Sequence, residues 1–198
     1  YDQDFVVDMG LLPIKPIRLP EVRYYVATWK FVQDSSINSM DSLNYVITLL
    51  DENPGLVLEL SSHTDPRGGN TYNQVLSENR SKACYEYLVK QKGVDPRRII
   101  PVGKGENEPR TMYLNGAKYY ENPPKDPTTK ELLPGTQELK MTEAYMAPFK
   151  KDKKKFEMLQ QFNRRTEAKV VTLDFDPATA PPANPDYLVF KKLPAANK

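Results

Sequence analysis

Cysteine and histidine are almost absent from this chain of 198 residues, which contains one of each, Cys84 and His63. A single cysteine excludes an intramolecular disulfide and any metal cluster built on several thiolates. Zinc sites usually take three or four protein ligands, so the pair His63 and Asp65 does not by itself predict a metal site. We therefore expect no metal and no cofactor.

Long apolar runs are absent as well, since no stretch reaches the roughly 18 to 20 consecutive apolar residues of a membrane-spanning helix. The beginning of the chain also lacks the basic-then-apolar plan of a signal peptide. The formal net charge is only +2, which does not favour nucleic acid or an anionic membrane as a partner. Because the chain begins with Tyr1 rather than Met, we expect it to be part of a longer protein.

The periodicity of the sequence predicts alternating strands and helices. In chain order the predicted elements are a strand at 22–31, a helix between 35 and 53, a strand at 56–61, a helix at about 71–93, a strand at 98–102 and a last strand within 163–174. This order predicts an α+β fold, β-α-β-α-β-(insertion)-β, with helices packed on one face of a mixed sheet.

The segment before the last strand is about fifty residues long, too long for an ordinary connection inside a compact domain. It predicts an insertion at about 110–162, partly helical near 153–162. Residues 1–21 contain three prolines and are predicted to be an arm or linker. Residues 175–198 are rich in Pro and Ala and are predicted to be a poorly ordered tail. The main domain is then expected at 22–174.

An arginine interrupts an apolar stripe on the second predicted helix. The residues spaced four apart on this face are Tyr72, Leu76, Arg80, Cys84 and Leu88. A guanidinium against a core is costly when unpaired, so a carboxylate or a bound anion should contact Arg80. Asp65 is the candidate carboxylate, and two interpretations remain open. The pair is either a structural salt bridge, or a clamp that holds the ammonium and carboxylate of a zwitterion.

Several motifs at fixed spacing support a family resemblance. They are Glu59-Leu60-Ser61-Ser62-His63-Thr64-Asp65, Gly68, Tyr72-Asn73, Leu76-Ser77, Arg80, Tyr87-Leu88, Gly93-Val94, Arg98, Gly103-Lys104-Gly105-Glu106 and Asn163-Arg164-Arg165-Thr166-Glu167. Together they resemble the C-terminal peptidoglycan-binding domain of the OmpA/MotB/Pal family over residues 22–174, interrupted by the insertion. The resemblance implies a periplasmic binding module without catalytic residues, associated with the outer membrane and the cell wall.

Residue by residue, the resemblance implies that Asp65 and Arg80 hold the meso-diaminopimelate of the peptidoglycan stem peptide. It also places Thr64, Asn73, Leu76 and Arg164 at or near this ligand. One departure is the first predicted strand, which reads Trp29-Lys30-Phe31 where many members alternate aromatic residues and aspartate. The contribution of that side to the site is therefore left open.

The motifs around Asp65 and Arg164 also resemble members from Bacteroidetes envelopes, including a peptidoglycan-anchoring lipoprotein of the type IX secretion apparatus. This narrower resemblance implies other envelope or secretion-system proteins as partners. One alternative function is an envelope protein-interaction scaffold that uses the insertion and the tail. Another is a wall hydrolase, which needs an acid–base pair or a metal-bound water, and only Asp65 and His63 resemble such a pair.

Overall fold

The structure, a computed structural model, describes residues 17–18, 22–25, 27–33 and 38–195. Apart from 17–18, the predicted arm lies outside the described residues, as does the very end of the tail. The strands are β1 Ile17–Arg18, β2 Val57–His63, β3 Ile99–Gly105, β4 Thr111–Asn115, β5 Lys118–Tyr120, β6 Gln137–Lys140 and β7 Thr166–Thr172. The helices are α1 Ser39–Glu52, α2 Asn70–Glu86, α3 Glu143–Met146 and α4 Lys153–Asn163.

Four strands form a mixed sheet in the spatial order β1-β7-β2-β3. β2 and β3 are parallel and are connected through α2, since parallel strands need a long crossover connection. β7 is antiparallel to β2, and β1 is antiparallel to β7. The predicted α+β class is confirmed. In this register Ser62 of β2 lies opposite Thr166 of β7, so the residue after β2 and those before β7 meet at one end of the sheet.

The first predicted strand is wrong. The described residues between 22 and 33 contain no strand, and Tyr24 and Phe31 form only an isolated antiparallel bridge. Between them Ala27 has a positive φ of 56°, which a continuous strand does not allow. The aromatic side chains pack on the main core instead of joining a sheet. The edge of the sheet is formed by β1, a short strand from the proline-rich segment, and proline is tolerated at such edges.

The main core lies between the helices and one face of the sheet. It includes the apolar side chains Leu43, Val46, Leu50, Leu58, Leu60, Cys84, Leu88, Ile99 and Ala168. α1 begins after Asn38, whose side chain accepts a hydrogen bond from the backbone N–H of Met40 and so caps the helix. The predicted stripe is confirmed on α2 and on the π-helical turn Tyr87–Gln91 that continues it, because Leu76 and Arg80 are each only 5% exposed and Cys84 and Leu88 are fully buried.

The segment predicted as an insertion has its own sheet and its own core. β4 pairs with β5 on one side and β6 on the other, both antiparallel. Met112, Met141, Met146 and Leu159 are buried together beneath this sheet. Leu159 belongs to α4, whose bounds confirm the helix predicted at 153–162. The insertion is therefore a second small packing unit that contributes α4 to the approach to β7.

Part of the C-terminal segment packs against α2. The buried amide of Asn79 donates to the Lys191 carbonyl at 2.7 Å and accepts from the Lys191 backbone N–H at 2.9 Å. Tyr187 and Leu188 pack against the main core. The expectation of a poorly ordered tail is therefore wrong for residues 185–191, because the few large apolar side chains of this segment are partly buried on the domain.

Candidate functional site

A cleft of about 760 Å³ opens near the meeting point of the end of β2, the start of α2 and the end of α4. It is lined by Arg23, Tyr24, Ala27, Thr64, Asp65, Arg67, Gly68, Tyr72, Asn73, Leu76, Arg80, Glu157, Gln161 and Arg164. All six residues predicted to contact a ligand are in this lining. The structure thus brings the sequence-predicted residues together, and their contact with a ligand stays a prediction.

A tight loop after β2 holds Asp65 at the cleft. Gly68 has a φ of 114°, and a Cβ there would lie 2.9 Å from the ring of Tyr72, so a side chain would not fit without a shift. Because the loop folds closely onto α2, the buried side chain of Asn73 reaches back and donates to the Asp65 carbonyl at 3.0 Å. Asn73 therefore fixes the backbone that carries Asp65.

The Asp65 carboxylate is bound by two arginines. Arg67 donates from Nε to Oδ1 at 2.9 Å and from Nη2 to Oδ2 at 2.7 Å. Arg164 donates from Nη1 to Oδ2 at 2.6 Å. Glu157 on α4 accepts from both arginines, at 2.9 Å from Arg67 and 2.5 Å from Arg164. Asp65, Arg67, Glu157 and Arg164 therefore form a closed ring of alternating charge, which we call the ion-pair ring.

Both acids of the ion-pair ring are held in their charged form. Burial by itself raises the pKa of Asp65, but hydrogen bonds from Arg67 and Arg164 outweigh it, and the net pKa lies below the usual value. The same balance of burial against Arg164 and Arg67 lowers the pKa of Glu157. At neutral pH the ring therefore contains two carboxylates and two guanidinium groups.

Arg80 occupies a different environment in the same cleft. Its Nε donates to the Thr28 carbonyl at 3.1 Å, and its guanidinium carbon lies 4.8 Å from the centre of the Tyr24 ring. Within the described part of the chain no carboxylate forms an ion pair with Arg80. Burial lowers the pKa of Arg80, as expected for a desolvated cation. Of the two interpretations that the sequence left open, the structural salt bridge between Asp65 and Arg80 is not seen, because Arg67 and Arg164 bind both oxygens of Asp65.

Two more of the predicted residues, Leu76 and Thr64, also line the cleft. Leu76, on the same face of α2 as Arg80, gives the cleft an apolar wall. Thr64 is 4% exposed, and its hydroxyl has no hydrogen-bond partner among the residues that the structure describes. Buried polar groups are usually paired, so the hydroxyl of Thr64 is a second group left for a ligand or a water.

The lining residues that sequence reasoning did not predict include Arg67, Tyr24 and Glu157. Arg67 stands two residues after an aspartate, a spacing that allows the bidentate pair that is seen. Tyr24 was assigned to a strand, whereas its hydroxyl lies 3.1 Å from Cys84 Sγ beneath Arg80. Glu157 had no local signal at all, because it belongs to the insertion and reaches the cleft only through the packing of α4.

A second polar cluster lies beside the cleft around His63. His63 Nε2 is 3.4 Å from Glu167 Oε2, and Arg165 donates to Glu167 Oε1 at 2.8 Å. Burial lowers the pKa of His63, whose imidazole is 2% exposed overall. Burial by itself raises the pKa of Glu167, but His63 and Arg165 outweigh it and lower this pKa to about 2. The His63 imidazole is therefore neutral at neutral pH.

Cys84, the single cysteine of the chain, is a buried free thiol. Burial raises the pKa of the Cys84 thiol to about 12, so the thiol is protonated at neutral pH. No group of three or more His, Cys, Asp or Glu side chains in that part of the chain is arranged to hold a metal ion. Likewise, none of the helices described has the length and apolarity that crossing a bilayer requires.

The fold and cleft define a class of protein, an α+β domain whose β2-α2-β3 unit carries a charged cleft at the end of β2. Among known families, residues 32–122 match the model of the OmpA family. This part of the chain is therefore similar to an OmpA-family domain, as the resemblance predicted. The matched residues include Asp65 and Arg80, whereas Arg164 and Glu157 lie beyond them.

Similar proteins include named outer membrane proteins. The chain is 40% identical over 83 residues to outer membrane porin F of Pseudomonas fluorescens, covering 40% of the chain and 25% of that protein. It is 35% identical over 72 residues to outer membrane porin F of Pseudomonas aeruginosa, covering 36% and 21%. It is 37% identical over 73 residues to outer membrane protein A of Escherichia coli O157:H7, covering 37% and 20%. The matches thus span a quarter or less of these relatives.

Proposed function

We propose that this chain binds peptidoglycan non-covalently by holding the diaminopimelate of a stem peptide in the cleft. It acts as a periplasmic binding module, without catalysis, that anchors an outer-membrane or secretion-system assembly to the cell wall. The observation that carries the proposal is the buried guanidinium of Arg80, which lines the cleft. It forms no ion pair with a carboxylate of the described residues. Arg80 also belongs to the part of the chain that matches the OmpA family model.

The free end of diaminopimelate carries an ammonium and a carboxylate on the same carbon atom. A guanidinium binds a carboxylate through two parallel hydrogen bonds, and a buried arginine gains most from such a partner. The ammonium of the ligand needs an acceptor, which Asp65 supplies in the lining of the same cleft. Because Arg67 is half exposed, we expect the ligand to displace part of its pairing with Asp65 at low cost.

Calorimetric titration tests this proposal directly. We expect a diaminopimelate-containing stem peptide to bind, and the lysine-containing peptide to bind at least tenfold more weakly, because it lacks the carboxylate that Arg80 contacts. Equal binding of both peptides, or binding of neither, would overturn the proposal. A sedimentation assay with purified sacculi extends the test to the intact polymer, where the Arg80→Met variant should stay in the supernatant.

The alternative function is a protein-interaction scaffold in the envelope, and one observation favours it. The insertion has its own three-stranded sheet and core, which is more structure than a connection between α2-β3 and β7 needs. Replacement of residues 122–135, the connection between β5 and β6, by a short glycine-serine linker separates the two functions, because it leaves α4 and Glu157 in place. Loss of partner capture with intact sacculus binding would show that the insertion serves other proteins, including those of a secretion apparatus.

A further inference from the structure

The insertion supplies one charged side chain to the cleft. Glu157 lies on α4. Phe156, just before it, packs on the insertion core, and Leu159, two residues after it, is fully buried in that core. Met158, between Glu157 and Leu159, is exposed. The position of Glu157 is therefore set by the fold of the insertion. Its carboxylate nevertheless contacts Arg67 and Arg164, which come from the β2-α2 loop and from the approach to β7.

The contacts of Glu157 change the charge that the cleft presents to a ligand. The cations of the lining are Arg23, Arg67, Arg80 and Arg164, and its acids are Asp65 and Glu157. Without Glu157, Asp65 would be the one acid opposite Arg67, Arg80 and Arg164 among the described residues of the lining. Such a cleft would attract carboxylates and phosphates in general, because field strength follows the excess of one charge.

The half-exposed carboxylate of Glu157 can meet a ligand as well as its two arginines. Its side chain is 54% exposed, compared with 9% for Asp65. Glu157 and Asp65 both bind the same two guanidinium groups from opposite sides of the ion-pair ring. A ligand ammonium placed beside the two carboxylates would be attracted to them, whereas a ligand carboxylate placed beside them would be repelled.

From this geometry we infer that Glu157 determines the specificity of the cleft: it keeps Arg67 and Arg164 occupied, so that the cleft selects an amino-acid zwitterion over a ligand carrying the carboxylate alone. The inference rests on the proposed function and goes beyond it, because it assigns a recognition role to the insertion outside the family-matched residues. Arg80 then remains the guanidinium that binds the ligand carboxylate.

A purely structural role of Glu157 makes a different prediction. If its ion pairs only tether α4 to the rest of the domain, its removal lowers stability slightly and leaves ligand preference unchanged, since exposed pairs contribute little. The two roles are therefore separated by a ratio of affinities rather than by one affinity or one melting temperature.

The test compares two stem peptides, one with diaminopimelate and one with 2-aminopimelate, which keeps the side-chain carboxylate and lacks only the ammonium. Their affinities are measured by calorimetry or by competition for the wild-type chain and for Glu157→Gln. We expect the preference for diaminopimelate to fall about two- to fivefold in Glu157→Gln, the range typical of a partly exposed charge. Glu143→Gln is the matched control, a more exposed glutamate of the insertion outside the cleft, and should keep the wild-type ratio.

The outcomes distinguish the inference from the function on which it rests. If the wild-type chain binds the diaminopimelate peptide and Glu157→Gln keeps the same preference, the inference is overturned and the proposed function stands. If the wild-type chain binds neither peptide, both are overturned. Circular dichroism and thermal melting of the two variants show whether a change in preference comes from a folded protein.

Discussion

The tripeptide Asp-Pro-Arg occurs twice in this chain, at Asp65–Arg67 and at Asp95–Arg97. The local geometry is nearly the same. In both copies the arginine backbone N–H and Nε donate to Oδ1, and Nη2 donates to Oδ2 at 2.7 Å. The short-range sequence is therefore enough to build this bidentate pair.

The surroundings of the two copies differ. The first aspartate is 9% exposed, and Arg164 and Glu157 extend its pair into the ion-pair ring, in the cleft that Arg80 also lines. The second aspartate is 28% exposed, and Arg97 Nη1 donates to the backbone carbonyl of Pro177. The comparison teaches that a motif becomes a candidate site through the elements that converge on it, and the second copy serves as an internal control for the first.

The largest expected effect is on peptide binding, when Arg80 of the cleft is changed. Arg80→Met should weaken binding of the diaminopimelate peptide by roughly 30-fold or more, as truncation of a buried charged contact does. Its free energy of unfolding should stay the same or increase, because the change removes a desolvated charge that has no carboxylate partner among the described residues. Calorimetry and urea unfolding measure both quantities.

The control for that prediction is Arg97→Met, at the second copy of the tripeptide, which should bind the peptide like the wild-type chain. Full affinity of Arg80→Met would contradict the assignment of Arg80. A large loss of stability in Arg80→Met would instead show that its contacts with Tyr24 and Thr28 support the fold.

The next effect compares the two aspartates. Asp65→Asn should lower the free energy of unfolding by about 1.5 to 3 kcal/mol, because two arginines lose a charged acceptor at a nearly buried site. Asp95→Asn should cost less, since its pair with Arg97 is more exposed. Urea unfolding of both variants gives the difference, and equal losses would show that the ion-pair ring adds nothing to the local pair.

A smaller effect concerns the support of Arg80 by the C-terminal segment. Phe190 stacks on Trp29, with ring centres 5.7 Å apart, and the neighbouring Thr28 carbonyl accepts from Arg80. Phe190→Ala should lower the free energy of unfolding by about 0.5 to 1.5 kcal/mol, the range of an aromatic pair, and weaken peptide binding slightly.

Val189→Ala is the control for that variant, since Val189 is an exposed neighbour of Phe190 at 57% and should behave as wild type. Denaturant unfolding and peptide titration are measured for both variants. Unchanged values in Phe190→Ala would mean that the segment does not support the loop at Thr28.

The smallest effect is a pH dependence next to the cleft. Because burial lowers the pKa of His63, the unfolded chain takes up a proton near pH 6.5 while the folded chain does not. Stability is therefore fully present above that pH and should fall between about pH 7 and 5. Asp65 and Glu167 have lowered pKa values, so their contribution is lost only at more acidic pH.

Melting temperatures measured across that pH range test this prediction. His63→Gln should flatten the slope, because glutamine does not titrate. A slope equal to that of the wild-type chain would assign the pH dependence to other groups.

Most of the fold could be predicted from the sequence because its signals are local. The alternating leucines of β2, the cap at Asn38 and the apolar stripe of α2 each follow from spacing and residue type within one element. The predicted strand around Tyr24 was wrong because aromatic residues suit a strand and a packed loop equally well. Only the positive φ at Ala27 distinguishes the two structures.

The candidate site was predicted in its members but not in its pairing. A direct salt bridge between Asp65 and Arg80 was one of two interpretations left open, since no local rule said that Arg67 and Arg164 would bind both oxygens of Asp65. The order in which charges pair depends on distances between separate elements. Those distances are a property of the packed chain rather than of any one segment.

By itself the sequence determined the order of α1, β2, α2, β3, α4 and β7, the strand end that carries Thr64 and Asp65, and the helix face that carries Arg80. These follow from periodicity and turn chemistry, which act over a few residues. Only the tertiary structure decided that Glu157 reaches the cleft. It also decided that the buried Arg80 forms no ion pair with a carboxylate of the described residues. Both depend on how the insertion and the loop at Thr28 pack against α2 and β7, contacts between residues far apart in the chain.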